Sequence, residues 1–398
     1  MASLGRPNKR FKTQDVPPGI PLRSLPVDQG VFVENNNLVD KVDDGTSVPS
    51  TILAELREIS DLHTLVPSSS PPTELLAKCL HCRESTFPLV TSGHPLSSSL
   101  YGAASLYVAR SHALLGEFSK ALRACDLALL RAGPEEWGPH FGPLEGYCAE
   151  RVVYEVDGAW EPPPKPEALP ELIGKPVPRF KMEELGPEKF EKKFLGKGPC
   201  VVTGVAPTWD LKELYSKHHG RVVPVEITPR SEASKGYLSP SWQRETMTFG
   251  NFLESYMSSS PSSSSSSSSS FGYLAQHPLH LQISSLPLPQ PLLRYCIPSP
   301  LDVSAPPNCS LSTPHLGPIL STWLGADSTT PAHHDPYENW LCQMSGSKRA
   351  RLHPYEGSAR MKPMGGERCN TSSVPFPPFE EEEFWDVRLG AGEALYIP

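Results

Sequence analysis

The chain has 398 residues, and 36 Lys and Arg against 44 Asp and Glu give it a formal net charge of −8. This acidic balance excludes a protein that coats nucleic acid through its phosphates, so no direct nucleic-acid partner is expected. No stretch approaches the roughly 20 apolar residues of a membrane helix, so no membrane partner is expected either. The 9 cysteines have no regular spacing, which favours free thiols in a reducing compartment. We therefore expect a soluble intracellular protein of two domains plus linkers.

Residues 1–45 are predicted to form a disordered arm, because Pro, Asn and Asp interrupt any apolar periodicity. The arm carries one small basic cluster, Lys9-Arg10-Phe11-Lys12. Such a cluster acts either as a nuclear import signal or as an ordinary solvated tail. The expected location is the nucleus, with the cytoplasm as a second compartment.

Residues 46–155 are predicted to be helical, since apolar side chains such as Ile52, Leu56 and Ile59 recur every three or four positions. Further along, small and aromatic residues match the helical hairpin of a tetratricopeptide repeat (TPR). These residues are Ala109, Gly116, Phe118, Ala121 and Ala128. Only one such unit is found, whereas a solenoid generally needs about three. An ordinary helical bundle and a peptide-binding superhelix therefore both remain open.

A proline-rich segment, residues 156–178, is predicted to be a stiff linker, because closely spaced prolines break both helices and strands. From residue 179 to 398 the pattern changes to short β-rich runs between Gly and Pro turns, which favours a sandwich or a barrel. Residues 258–270 are almost all Ser and are predicted to form a polar surface insertion. The whole chain is therefore expected to belong to the α+β class.

His333 and Asp335 are the candidate metal ligands of the β-rich half. In a strand, residues i and i+2 point to the same face, so this imidazole and this carboxylate would project together. With one more His from a neighbouring strand they would make the facial triad that holds Fe(II) and leaves three positions open. The alternative is a turn in which Asp335 caps a loop.

Lys348 is the candidate for binding an anionic cosubstrate. Residues 338–352 read as strand, Gly turn and strand, a hairpin that would bring Lys348 back beside the metal strand. There its ammonium group could pair with the distal carboxylate of a dicarboxylate. A solvated lysine on a surface hairpin is the alternative.

Seven short segments of the β-rich half carry a likeness to a known family. They are Gly272–His277, Trp323–Gly325, His333–Pro336, Asn339, Gly346–Lys348, Asn370–Ser372 and Gly392–Pro398. Together they resemble the JmjC-domain 2-oxoglutarate oxygenases, over about residues 176–398. The resemblance implies a double-stranded β-helix, a jelly-roll or cupin-like fold, following the TPR-like helical region. The most similar branch is that of arginyl hydroxylases also described as histone lysine demethylases.

The resemblance implies a role for each candidate residue. His333 and Asp335 match the first two Fe(II) ligands. Four residues match positions around the C5 carboxylate of 2-oxoglutarate, namely Tyr273, Thr330, Asn339 and Lys348. Three match the substrate side, where a carboxylate and an aromatic face suit a guanidinium or methylammonium group, namely Glu226, Gln276 and Trp323. An exposed strand position for Glu226 and a core position for Trp323 are the alternatives.

The resemblance also implies a third iron ligand, a His about five residues beyond Ile397-Pro398, whereas the sequence stops at Pro398. We expect that the sequence breaks off in mid-domain and lacks the C-terminal strands of the jelly roll. His353 is not expected to replace the missing ligand. It would lie on the returning hairpin strand, at a position that the family fills with an aromatic residue.

The function implied by the resemblance is a protein oxygenase that uses Fe(II), 2-oxoglutarate and O2. Its partner would be a protein or peptide, and its target an arginine side chain or a methyl-lysine, with histone tails among the candidates. One alternative is a non-catalytic JmjC-like or TPR-like binding module that lacks the third ligand. Another is a scaffold whose helical half binds the partner. The oligomeric state is not predicted.

Overall fold

A computed structural model of the chain describes residues 72–91, 97–154, 160–163, 171–258, 270–295, 318–355, 360–374 and 383–398, together with six positions between 52 and 59. The predicted arm at 1–45 and the serine-rich stretch at 259–269 lie outside the described residues. Within the described part, no helix is long and apolar enough to cross a lipid bilayer.

The N-terminal half consists of packed helices. Their bounds are α1 Pro72–Thr91, α2 Ser97–Leu114, α3 Phe118–Ala132 and α4 Pro134–Ala149. The predicted hairpin is formed by α2 and α3, and its turn contains Gly116 at a φ of +73°. Ala109, Ala121 and Ala128 are fully buried, which lets the two helices pack closely. The helical pattern is confirmed here, while the likeness to a TPR stays a prediction.

The C-terminal half alternates short strands with short helices. The strands are β1 Arg179–Lys181, β2 Cys200–Thr203, β3 Val222–Pro229, β4 Gln243–Thr248, β5 Ser270–His277, β6 Thr322–Leu324, β7 Asn339–Gln343, β8 Ser347–Leu352, β9 Trp385–Gly390 and β10 Glu393–Ile397. The α-helices are α5 Pro187–Lys193, α6 Leu211–His218, α7 Phe249–Tyr256 and α8 Leu279–Gln282. Three 3₁₀ segments lie at Arg230–Leu238, Gln290–Tyr295 and Gly366–Arg368. A helical half followed by a half built mainly of strands makes the chain α+β, as expected.

The described strands form two four-stranded sheets and one strand pair. Sheet I has the order β1-β2-β10-β7, in which β1 runs parallel to β2 and the other neighbours are antiparallel. Sheet II has the order β4-β3-β5-β6 and is antiparallel throughout. Strands β8 and β9 form the remaining antiparallel pair. Strands far apart in sequence are thus neighbours, as in jelly rolls.

Each sheet has one face toward the interior of the β-rich half and one face covered by helices. An interior cluster joins Leu395 of sheet I to Val387 of β9. On the other face of sheet I, the ring of Phe190 from α5 lies 4.8 Å from that of Tyr396. On the covered face of sheet II, Val225 shares a buried cluster with residues of α6 and α7. Alternate residues of each strand therefore point inward, where a site can form.

The described ends of the predicted linker lie against the β-rich half. The Lys175 N–H donates to Phe384 O at 2.7 Å, and the Asp386 N–H donates to Lys175 O at 3.1 Å. At the other end, the indole N–H of Trp160 donates to Leu253 O at 3.1 Å, and the indole stacks on Tyr215. Both described ends of the predicted linker thus pack against the β-rich half. The position of the domain boundary stays a prediction.

His218, the last residue of α6, ties folding stability to pH. Burial, aided by the charge of Arg221, lowers the pKa of His218 to about 4. The unfolded chain protonates this histidine near pH 6.5, but the folded chain does so only near pH 4, so stability falls as the pH drops through this window. Between about pH 7.5 and about pH 5, we expect His218 alone to lower the free energy of unfolding by roughly 2 kcal/mol.

Urea unfolding at the two pH values measures this drop. His218→Gln should lose less stability on acidification than the wild type. A residual drop should remain, because burial also lowers the pKa of His277. His81→Gln is the control, since the His81 side chain is 72% exposed, and it should follow the wild type. An equal drop in H218Q and the wild type would contradict the prediction.

Candidate metal centre

His333 and Asp335 lie in the loop between β6 and β7, and not in a regular strand as predicted. The loop is held instead by an antiparallel bridge between His333 and Thr371. Beside this bridge, the His334 N–H donates to Asn370 O at 3.0 Å. The segment around residue 371 thus takes the place of a neighbouring strand and fixes the backbone of the candidate ligands.

The two candidate ligands face each other, with His333 Nε2 lying 3.9 Å from Asp335 Oδ1. The other ring nitrogen, Nδ1, lies 2.9 Å from the carbonyl oxygen of Pro331. A carbonyl only accepts, so Nδ1 carries a proton and Nε2 is the nitrogen that can bind a metal. The second carboxylate oxygen, Asp335 Oδ2, accepts a hydrogen bond from Asn339 Nδ2 at 3.1 Å. Each candidate ligand is therefore oriented by a hydrogen bond at the atom that does not face its partner, as metal ligands generally are.

The pair offers the imidazole and carboxylate donors of two of the three ligands of an iron site. Neighbouring ligands of an octahedral ion, at right angles and with bonds of about 2.1 Å, lie about 3.0 Å apart, so the pair at 3.9 Å would close by about 0.9 Å on binding a metal. Within the part of the chain that the structure describes, no group of three His, Cys, Asp or Glu side chains could hold a metal. His353 makes a different contact, because its ring packs 5.3 Å from that of Phe384. A third ligand is thus not found among the described residues.

Lys348, Tyr273 and Trp323 form a second cluster. The Lys348 ammonium group lies 3.5 Å from the Tyr273 hydroxyl, at the limit of a hydrogen bond. The rings of Tyr273 and Trp323 lie 5.7 Å apart. A side chain at Gly325 would approach Tyr273 Cδ2 to 2.6 Å, so the Trp-Leu-Gly segment needs its glycine for this packing. The structure therefore brings together the predicted cosubstrate lysine, the predicted tyrosine and the predicted aromatic of the substrate side.

The hairpin predicted around Gly346 is wrong. Strand β7 pairs with β10 and β8 pairs with β9, so the two strands on either side of the glycine belong to different layers. Gly346, at a φ of +67°, turns the chain from one layer to the next. Lys348 thus reaches Tyr273 of sheet II from the β8–β9 pair, and not because a hairpin returns it to the loop of residues 325–338 that carries His333 and Asp335, here called the metal loop.

Strand alternation places the other candidates relative to the interior. Leu341 and Ala350 contact the interior cluster, so Asn339 and Lys348, two residues away on the same strands, face the same way. In sheet II, Glu226 is paired directly with Tyr273, so their side chains lie on one face of the sheet. Glu226 therefore shares the inward face of sheet II with Tyr273, whereas Asn339 is exposed at the start of β7.

Thr330 and Gln276 are less directly placed. Thr330 is half-buried in the loop that leads to His333. Gln276 is exposed near the end of β5 and has a φ of +48°, which is unusual for a residue with a side chain. The structure describes no hydrogen bond between either residue and Lys348 or Tyr273. Their assigned roles stay predictions.

Sequence reasoning missed a support of the metal loop. The hydroxyls of Tyr237 and Thr371 lie 3.1 Å apart, and a side chain at Gly236 would approach Thr329 O to 3.0 Å. The 3₁₀ segment 230–238 thus packs against both the strand-like residues around 371 and the approach to His333. The sequence gives no signal for this contact, because its partners are more than 90 residues apart.

Comparisons with known proteins agree with this architecture. The Cupin-like domain family matches residues 187–398. Lysine-specific demethylase JMJ30 of Arabidopsis thaliana is 31% identical over 351 residues, which cover 76% of each chain. JmjC domain-containing protein D of Dictyostelium discoideum is 29% identical over 53% of this chain and 49% of its own length. Lysine-specific demethylase 8 of Danio rerio is 26% identical over 56% of this chain and 53% of its own length.

The chain thus spans about half the length of two of these relatives and three quarters of the first. The family match covers strands β2 to β10, the metal loop and the Lys348 cluster together, so one fold carries all the candidate residues. The chain belongs to the cupin-like JmjC-domain family, a family of 2-oxoglutarate-dependent dioxygenases.

Proposed function

We propose that the chain is an Fe(II)- and 2-oxoglutarate-dependent protein oxygenase that acts on an arginine or a methyl-lysine side chain. One observation carries the proposal: His333 Nε2 and Asp335 Oδ1 face each other at 3.9 Å with the proton of His333 on its other nitrogen. A neutral imidazole and a carboxylate so oriented are ligands for a divalent ion.

The candidate residues have separate tasks in this proposal. His333 and Asp335 hold the iron, which with 2-oxoglutarate and O2 supplies the oxidising chemistry. Lys348 neutralises the C5 carboxylate and Tyr273 donates a hydrogen bond to it, and both bonds are strong where water is excluded. Thr330 is proposed to donate to the same carboxylate. Asn339 donates to Asp335 and keeps a second N–H for the cosubstrate.

The proposed guest of the substrate side is a cation. The Glu226 carboxylate lies on the same face of sheet II as Tyr273, and the indole of Trp323 is 39% exposed. A carboxylate and an aromatic face attract a guanidinium or a methylammonium group. Gln276 is proposed to add an amide at the rim. Hydroxylation and demethylation would differ only in which carbon of the guest is presented.

The relatives named as lysine-specific demethylases favour a protein substrate such as a histone tail, and with it a nuclear location. The family resemblance implies a His as the third iron ligand, so the test uses a chain extended to include such a His. A non-catalytic binding module is the second candidate, because the described residues supply two ligands and not three.

The test measures succinate formation from 2-oxoglutarate with arginine- and methyl-lysine-bearing histone-tail peptides. In Lys348→Ala, we expect the 2-oxoglutarate concentration for half-maximal rate to rise about thirtyfold to a hundredfold, because a charge-assisted contact worth about 2 to 3 kcal/mol is lost. Lys348→Arg keeps the charge and should be affected less. Lys235→Ala removes an exposed lysine paired with Glu232 and should behave as the wild type.

Two results would count against the proposal. The first is an enzyme that takes up iron but forms no succinate above the metal-free control. The second is equal dependence on 2-oxoglutarate in K348A and K235A. Absence of iron uptake by intact-protein metal analysis would favour the binding module instead.

A further inference from the structure

A buried polar cluster joins the helical half to the β-rich half. Arg221, directly before β3, is 1% exposed and donates from Nε and Nη2 to the carboxylate of Asp126 on α3. Its Nη1 donates to Glu145 Oε1 on α4 at 2.5 Å. Asp126 and Glu145 are 0% and 3% exposed. One guanidinium of the β-rich half is thus held by two carboxylates of the helical half.

The same cluster binds the backbone at the start of β3. Asp126 Oδ2 accepts the Val222 N–H at 2.8 Å, and Gln282 Nε2 donates to Val222 O at 2.6 Å. Arg221 also donates to the backbone oxygen of Gln282. On the other side of Glu145, the Ser284 hydroxyl donates to Oε2 at 2.7 Å. Each carboxylate oxygen therefore has a donor, and the cluster fixes both β3 and the segment that follows β5.

Two residues of the proposed substrate side lie next to these fixed points. Glu226 is four residues beyond Val222 on the same strand, or roughly 13 Å along it. Gln276 directly precedes His277, whose Nε2 donates to Gln282 Oε1 at 2.6 Å. Gln276 has a left-handed φ of +48°. Such a conformation is strained in a residue with a side chain and persists only where its surroundings hold it.

A gain in folding stability does not by itself explain why these charges are buried. A buried ion pair is often no more stabilising than apolar residues of similar volume, but its hydrogen-bond geometry restricts how its partners can be arranged. Here that arrangement sets the direction of β3 and of the turn after β5 at the same time. Since both elements carry substrate-side residues, the helical half contributes to the geometry of the site.

We propose that Arg221 is a positioning residue, through which Asp126 and Glu145 of the helical half set the placement of Glu226 and Gln276. The consequence for substrate rests on the proposed function, whereas the placement itself does not. The helical half is then a part of the oxygenase site and not a separable module.

Native-state hydrogen exchange followed by mass spectrometry tests the placement without any activity. In Arg221→Met, exchange should rise at least about tenfold at 222–226 and 277–282, whereas 200–203 and 393–397 should exchange as in the wild type. Arg221→Lys, which keeps the charge with fewer donors, should show a smaller rise. Asp126→Asn is nearly isosteric and weakens the same contact with Arg221. It should raise exchange in the same segments, and it replaces R221M in the test if that variant folds poorly.

Leu185→Ala is the matched control, because Leu185 is fully buried in the cluster behind sheet I, apart from the Arg221 cluster. It should raise exchange at 200–203 and 393–397 while leaving β3 protected. Should L185A open β3 as far as R221M does, or should R221M leave β3 unchanged, the positioning role is overturned.

Peptide turnover then tests the consequence for substrate. R221M should raise the KM for an arginine- or methyl-lysine-bearing peptide at least about tenfold, with the half-saturating 2-oxoglutarate concentration of the wild type. An equal rise for peptide and cosubstrate would overturn the assignment to the substrate side. Wild-type enzyme without any turnover would contradict the proposed function, and the exchange data would still decide the positioning role.

Discussion

Replacing His333 with Ala is expected to lower the affinity for Mn(II), used as a stand-in for Fe(II), by at least about a hundredfold. Removing a mere outer partner of a ligand generally costs tenfold to a hundredfold, and this variant removes the ligand atom itself. Asp335 would remain as a single carboxylate, with Asn339 still bonded to its Oδ2. Titration followed by the electron paramagnetic resonance of free Mn(II) measures the loss.

The neighbouring histidine provides the control. The ring of His334 lies 6.0 Å from that of Tyr355 and takes no part in the His333 and Asp335 pair. His334→Ala should therefore bind Mn(II) as the wild type does. Asn339→Ala should fall between the two, about tenfold weaker than the wild type, because it frees the carboxylate without removing it. Equal binding by all three variants would refute the metal centre.

Local patterns in the sequence are enough to predict the elements that carry the site. The sequence predicts strands in the β-rich runs 200–203, 221–227, 340–344 and 392–397, and each run lies in a strand of the structure with at most small shifts of its ends. The helical spacing before residue 133 likewise corresponds to α1, α2 and α3. These predictions succeed because period and turn residues act over a few positions.

Pairing between strands depends on distant residues, and there the sequence is a poorer guide. The turn at Gly346 reads as a hairpin, yet β7 pairs with β10, some 50 residues away. The metal loop fails as a strand for the same reason, since its partner is the segment around Thr371. The sequence predicts that His333 and Asp335 lie together because they alternate along a strand. In the structure they lie 3.9 Å apart because the bridge to Thr371 holds the backbone of His333 and Asn339 holds the carboxylate of Asp335.

Buried charge is harder still to predict. Arg221 reads as the polar start of a strand, and Asp126 as one acidic residue of an amphipathic helix. They are 95 residues apart, and nothing in their own segments points to a partner. Only the fold brings them together, and only then does burial require that each charge be neutralised.

A second buried ion pair is the basis for the largest expected loss of stability. Asp386 on β9 is 1% exposed and accepts hydrogen bonds from the Arg349 guanidinium on β8, with 2.8 Å from Nε to Oδ1. It also accepts the Ile173 N–H at 3.2 Å. Burial alone would raise the pKa of Asp386, but the hydrogen bonds from Arg349 and Ile173 outweigh it and hold the pKa below its usual value. The carboxylate therefore stays ionised at neutral pH.

Asp386→Ala is expected to lower the free energy of unfolding by about 3 to 5 kcal/mol, because it removes the buried carboxylate that neutralises the largely buried Arg349 guanidinium. Lys217→Ala removes an exposed pair with Glu213 and should cost under about 0.5 kcal/mol. Urea unfolding at neutral pH compares the two, and a loss below about 1 kcal/mol in D386A would contradict the prediction. Exchange at 171–175 should rise in the same variant, since Asp386 holds this stretch to β9 through the Ile173 N–H. The predicted linker would then be fastened to the β-rich half by the same charge that stabilises the β8–β9 pair.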